Sequence, residues 1–177
     1  MPDRPIVRRA RPDDWPAVAA LHALSWQSAY RGIYPDAFLD RDVVEDRRAF
    51  WRERLPAMDG EVDAVFIAER DGKPTGFACI RRESDPAGPL LDNLHVDPEC
   101  KGGGIGRRLI RAAASWLTDR SPDASLQLYV WAANHAARGF YDRLGAVEVE
   151  RFDEEVPGGG MASIVRMRWE RARLLRD

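Results

Sequence analysis

Apolar and polar positions alternate along this chain in two rhythms, one of two residues and one of three to four, and the switches between them lay out the elements. Ile6 to Ala10 reads as a short strand. Pro12, Asp13 and Asp14 then open a helix whose inward side is predicted at Ala17, Val18, Leu21 and Leu24. The aromatic segment SWQSAYRGIYPDAFLD follows, broken by Gly32 and Pro35, and a second helix is predicted over about Asp42 to Leu55. Strands are predicted at Ala64 to Arg70 and Gly76 to Arg82, joined by the turn Asp71-Gly72-Lys73-Pro74. The loop ESDPAGP has a turn-rich composition that predicts mobility. Leu90 to Asp97 reads as a strand, about Gly104 to Thr118 as a helix, and Leu126 to Trp131 as a strand. In the helix, Ile105, Leu109, Ala112, Ala113, Trp116 and Leu117 share the inward face, with Arg107, Arg108 and Arg111 largely outside it. Asn134 is placed to cap a helix that runs to about Leu144 and stops at Gly145. Ala146 to Phe152 and Ala162 to Trp169 read as a closing hairpin around Val156 to Gly160. The order β-α-α-β-β-β-α-β-α-β-β predicts an α+β domain with a largely antiparallel sheet and helices packed on it. No linker composition divides the chain, so residues 1–177 are read as one domain.

The stretch VDPECKGGGIGRRLI holds the most chemistry. Four glycines in five positions stand just where an amphipathic helix starts. A helix start leaves N–H groups unpaired and carries partial positive charge, which makes it an anion site. Removing side chains there lets a phosphate reach the backbone. A phosphorylated ligand is therefore expected at Gly102 to Arg107. A dinucleotide G-x-G-x-x-G would need glycine where Arg107 or Leu109 stands, and a phosphate-loop NTPase would need a terminal glycine-lysine-serine/threonine that is absent.

Composition narrows the partners. Lys and Arg total 27 against 29 Asp and Glu, so no basic excess points to nucleic acid or to a membrane surface. No apolar stretch approaches the roughly 18–20 residues that cross a bilayer, and the first residues lack an apolar signal core. Two cysteines, Cys79 and Cys100, make no disulfide framework and no metal-type pair, which fits a reducing cytoplasm. Cys79 reads as a buried apolar residue and Cys100 as a loop thiol. His22 and His135 read as surface or cap residues.

The string DPECKGGGIGRRL resembles the pyrophosphate loop Q/R-x-x-G-x-G/A of the GNAT family of acetyl-CoA-dependent N-acyltransferases, with Lys101, Gly104 and Gly106 in its places. The family's second signature is matched by Asn134, Ala137, Tyr141, Leu144 and Gly145, with Ala146 where phenylalanine is common. The likeness covers about Ile6 to Trp169. It implies a three-layer α-β-α fold with a mostly antiparallel sheet of about seven strands, about four helices and a V-shaped split between the fourth and fifth strands. It implies acetyl-CoA as cosubstrate, no metal, and direct transfer to a primary amine of a small molecule or peptide, with a homodimer as one state open to the chain. The backbones of Leu94 and Val96 are expected to pair with the pantetheine arm. Lys101, Gly102, Gly103, Gly104, Ile105, Gly106 and Arg107 are expected around the pyrophosphate, and Asn134 against the arm.

Tyr141 is the general acid the resemblance implies, protonating the departing sulfur. Many members carry a glutamate base where this chain has Leu90. Asp92, two residues on, is the expected replacement. His95 titrates in a useful range, but alternation sets it opposite Asp92 unless a bulge intervenes; water alone is a further option. Trp26 and Tyr30, one helical turn apart, are expected to wall the acceptor. The acidic run Asp153, Glu154 and Glu155 gives the last hairpin a charged tip. A non-catalytic acyl-CoA-binding module is the alternative that the missing glutamate leaves open.

Overall fold

The computed structural model describes residues 5–176; residues 1–4 and 177, the ends of the expected domain span, lie outside it. The strands are β1 (Ile6–Arg9), β2 (Asp63–Arg70), β3 (Lys73–Arg81), β4 (Leu90–Val96), β5 (Leu126–Trp131), β6 (Val147–Glu155) and β7 (Met161–Trp169). They form one sheet in the order β1-β2-β3-β4-β5-β7-β6. All neighbours are antiparallel except β4 and β5, which are parallel. The helices are α1 (Trp15–Ala29), α2 (Asp36–Arg41), α3 (Val43–Ala57), α4 (Ile105–Arg120) and α5 (His135–Arg143). The α+β class read from the sequence is the one observed.

The layers follow from the period-two pattern of the central strands. Ala64, Phe66 and Ala68 of β2, with Ala78 and Ile80 of β3, pack against α4. Val65 and Ile67, with Phe77 and Cys79, pack on the other face against α1 and α3. Both faces are covered, so these strands read as nearly continuous apolar runs. Ile67 and Phe77 are fully buried, and each such side chain contributes about 1.5–3 kcal/mol of transfer free energy. The stripe of α4 falls where its spacing places it, with Ile105, Leu109, Ala113, Trp116 and Leu117 all buried. α5 joins the same layer through Tyr141.

Two features of β4 shape the site. Its pairing with β5 holds at one registered pair, Leu90 with Gln127, beside a 3.0 Å bond from the Gln127 N–H to the Pro89 carbonyl. From Leu91 onward the strands part, and among the described residues the β4 edge facing β5 has no strand partner. On its other edge, Cys79 faces Asn93 and Ile80 faces Leu91, so Asp92 is the extra residue of a bulge. Leu91, Leu94 and Val96 therefore pack towards α4, while Asp92 and His95 both reach the α1–α3 layer.

Several expectations are corrected. Leu24 is 42% exposed, because α1 turns His22, Ser25 and Trp26 inward instead. His22 is not a surface residue: it is 1% exposed. Ser25 to Ala29 continue α1, and the joint carries a further short helix, α2, which begins after Pro35 and meets α3 at Asp42. The turn-rich loop before β4 carries two bonds to β5: the Tyr129 hydroxyl donates to Asp85 at 2.9 Å and the Gln127 side chain to the Gly88 carbonyl at 3.1 Å. The β6–β7 tip folds onto the joint. Val156 is buried beside Trp26, Tyr34 and Leu39, and a Cβ on Gly158, whose φ is +84°, would stand 2.6 Å from Phe38 Cβ.

Candidate active site

A cavity of about 950 Å³ opens where β4 and β5 part. One end is made by the glycine loop. Asp97 accepts a bond from the Glu99 N–H at 2.9 Å and starts a single 3-10 turn, Pro98–Cys100. The chain then passes Gly102 and Gly104, both left-handed, at φ +84° and +74°. A side chain at either would be strained there. Gly104 is the N-cap of α4 and supplies no side-chain acceptor, and the first helical bond is that of the Arg108 N–H. The N–H groups of Ile105, Gly106 and Arg107 are thus left for a ligand. Gly102, Gly104, Ile105, Gly106, Lys101 and Arg107 all line the cavity, and Gly103 does not. Arg143 of α5 lines it too; nothing in the spacing of the sequence marked that residue.

At the waist stand Leu94 and Val96 on β4 and Asn134 and Tyr141 on the α5 side. The Asn134 side chain accepts from the Ala137 N–H at 3.2 Å, so it caps α5 while facing the cavity. Tyr141 is 8% exposed and packs edge-on against Phe140 and Trp169. Burial pushes its phenol well above the usual tyrosine range, with a smaller contribution from Tyr30. It stays protonated at neutral pH.

The other end is aromatic. Trp26 and Tyr30 both line it, ring centroids 5.6 Å apart, with Tyr34 4.8 Å beyond Tyr30. Burial pushes the Tyr30 phenol up to about 12. The Arg47 guanidinium lies 4.3 Å over the Trp26 ring. Asp92 is in the wall, and its carboxylate pairs with Arg54 of α3. His95 is in the wall as well, Nδ1 2.9 Å from the Ser25 Oγ. The bulge brings it to the same layer as Asp92, where strict alternation would have separated them. Behind it sits His22, ring centroids 4.5 Å apart. The Trp51 indole N–H donates to His22 Nδ1 at 2.9 Å, which fixes the neutral ring with its proton on Nε2. Burial, Arg47 and Lys101 push His95 down to about 3; burial, then His95, Arg47 and Arg54, hold His22 well below the usual range. Ser25, Asn93 and Arg54 were not singled out in the sequence. Ser25 meets His95 across 70 positions and Arg54 meets Asp92 across 38, and no local pattern records such pairs. Cys79 is buried, and Cys100 is half-buried and lines the cavity. His135 is the exposed first residue of α5.

The parallel pair splays beside a helix start that has no side-chain cap, and the two border one elongated cleft. Residues 15–146 match the profile of the acetyltransferase (GNAT) family, and the chain belongs to that family. It is similar to a protein of Mycobacterium tuberculosis named a probable N-acetyltransferase, 30% identical over 139 residues, 77% of this chain and 76% of the relative. It is also similar to the aminoglycoside N(6')-acetyltransferase type 1 of Stenotrophomonas maltophilia, 31% identical over 150 residues, 77% and 86%. The fold matches that of PaiA N-acetyltransferase from Thermoplasma acidophilum, solved in complex with coenzyme A, with TM-score 0.72 and 18% identity over 93% of this chain and 99% of that one. The protein is an acyltransferase. No helix among the described residues is long and apolar enough to cross a membrane.

Proposed function

We propose that the enzyme transfers the acetyl group of acetyl-CoA to a primary amine of a small molecule or peptide. The observation that carries this reading is one continuous cavity joining a bare helix start to a buried phenol and an aromatic end. The residues fit the cosubstrate: unpaired N–H groups of Ile105, Gly106 and Arg107, with Lys101 and Arg107 beside them, suit a diphosphate. The unpaired edge of β4, at Leu94 and Val96, suits the amide-bearing arm as an added strand. Bound acetyl-CoA supplies a thioester carbonyl at the waist.

The chain's own residues then do the rest. A β4 backbone N–H near Leu94 hydrogen-bonds the carbonyl oxygen as charge develops on it. The amine enters along Trp26 and Tyr30. Its nitrogen becomes acidic once bonded to the thioester carbonyl carbon, and Asp92, the only carboxylate in the cavity wall among the described residues, accepts that proton as the adduct collapses and the C–S bond breaks. Tyr141, protonated because it is buried, gives its phenolic proton to the departing sulfur.

Thiol release from acetyl-CoA, measured with a panel of amines, tests the reading. Amine-dependent release together with a CoA-induced rise in melting temperature supports it. Intact CoA binding with no release on any amine counts against it.

A further inference from the structure

Asp92 owes its place to one extra residue and its orientation to one arginine. It is the bulged residue of β4, and the bulge turns it out of the strand's alternation towards the α1–α3 layer. There the Arg54 side chain of α3 donates from Nη2 to Asp92 Oδ2. The two side chains are 19% and 24% exposed, so solvent screens the pair less than a surface ion pair. Asp92 lines the cavity and Arg54 does not, so the guanidinium reaches the carboxylate from behind. Arg54 is itself held: its guanidinium carbon stands 4.9 Å from the Phe50 ring centroid and 5.5 Å from that of Trp51. Trp51 is fully buried and donates to His22, which fixes this floor. Other charges nearby are paired elsewhere. Asp63 and Arg81, which with Asp92 and Arg54 act on the buried Cys79 thiol, meet each other at 3.4 Å, and Arg47 meets Asp46 at 2.6 Å. The second carboxylate oxygen, Asp92 Oδ1, accepts no hydrogen bond among the described residues and keeps accessible surface.

One oxygen tied from behind and one left open is the arrangement of an oriented base. We infer that Arg54 is a positioning residue for the acyl transfer: it fixes the Asp92 carboxylate with Oδ1 towards the incoming amine, and it acts on the reaction only through Asp92. The inference rests on the reading of Asp92 as the proton acceptor. Orientation, rather than ionisation, is what the arginine supplies at neutral pH, because an unpaired aspartate, pKa about 3.9, is already ionised there. The pairing favours the charged form further and so weakens the base. A weak base suffices, since the proton comes from a nitrogen made acidic by its bond to the thioester carbonyl carbon. A carboxylate without its anchor turns freely about both side-chain torsions, and a misplacement of about 1 Å costs on the order of 10²-fold in rate. The contact is one N–H···O bond rather than a two-pronged fork, so an ammonium group can also supply it.

The test is a double-mutant cycle on kcat, read by thiol release with saturating acetyl-CoA and whichever of alaninamide, glucosamine and cadaverine is turned over fastest. Arg54→Met, which keeps an apolar stem over Phe50 and Trp51, is expected to lower kcat about tenfold to hundredfold. CoA affinity, measured by calorimetry, is expected to change less than about twofold. Arg54→Lys is expected to stay within about threefold of the wild-type kcat. Asp92→Asn is expected to lower kcat about 10²-fold, and adding Arg54→Met to it is expected to cost less than about twofold more. A pair that only tied α3 to β4 would give the same fractional loss in both backgrounds. That result, an unchanged kcat in Arg54→Met, or Arg54→Lys as slow as Arg54→Met would each overturn the inference. If Arg54→Met shows no CoA-induced rise in melting temperature, Arg54→Gln takes its place in the cycle. Full activity in Asp92→Asn would overturn the base assignment and this inference together. Thiol release absent with all three amines, while CoA binds, would instead count against the acyl-transfer reading and take this inference with it.

Discussion

The two ends of the cavity are built in opposite ways. The end proposed for the diphosphate is a contiguous stretch, Lys101 to Arg107, with main-chain N–H groups at a helix start and two left-handed glycines. The acceptor end is assembled from α1, α3, β4 and the β6–β7 tip, and it works through side chains that meet across 38 to 97 positions, among them Arg54 with Asp92, Ser25 with His95 and Tyr34 with Trp131. The difference teaches why donor and acceptor have such unequal visibility. Backbone recognition needs a particular local geometry, and local geometry leaves glycine spacing in the sequence. Side-chain recognition needs only that the fold bring the groups together, and it leaves no local trace.

Variants can break or sharpen this contrast. The largest expected effect lies between the two ends: Tyr141→Phe lowers kcat by about 10²–10⁴-fold, the usual range for a lost general acid. CoA affinity is expected to change less than threefold, which calorimetry checks. An unchanged kcat would remove Tyr141 from the chemistry. Next is Gly104→Val, which places a β-branched side chain at φ +74°. Strain of about 1–3 kcal/mol and loss of N–H access are expected to weaken CoA binding roughly tenfold to hundredfold, with acceptor KM little changed. An equal rise in both constants would mean that the ends are not separate.

The next effect is on stability. His22 is buried and neutral, with its pKa held well below the ordinary value. The unfolded chain therefore binds a proton that the folded chain refuses below about pH 6.5. Stability is unaffected above that pH and falls as the pH drops, by about 1.36 kcal/mol per unit for one such group. Urea unfolding is expected to show about 2 kcal/mol less stability at pH 5 than at pH 7 from His22 alone. A flat profile would contradict the buried neutral pair beneath the acceptor end.

Most of the fold is legible in the sequence, and the exceptions share causes. β5 was bounded by its apolar run and α5 by Asn134 and Gly145, signals that sit at the element ends. Helix α2 is six residues long, too short to display a period. Leu24 reads as inward on a single apolar stripe, whereas α1 buries a wide face that includes His22, Ser25 and Trp26. His22 reads as a surface residue in the sequence because its partner, Trp51, lies 29 positions away. The bulge at Asp92 depends on the register with β3, which strand composition does not encode. That one extra residue decides where both Asp92 and His95 point.

Hydrogen exchange of the full chain with and without saturating CoA tests the central claim most directly. The account predicts new protection centred on the amides of 101–107, accompanied by the unpaired edge of β4. Protection that appears elsewhere and spares those amides would contradict it.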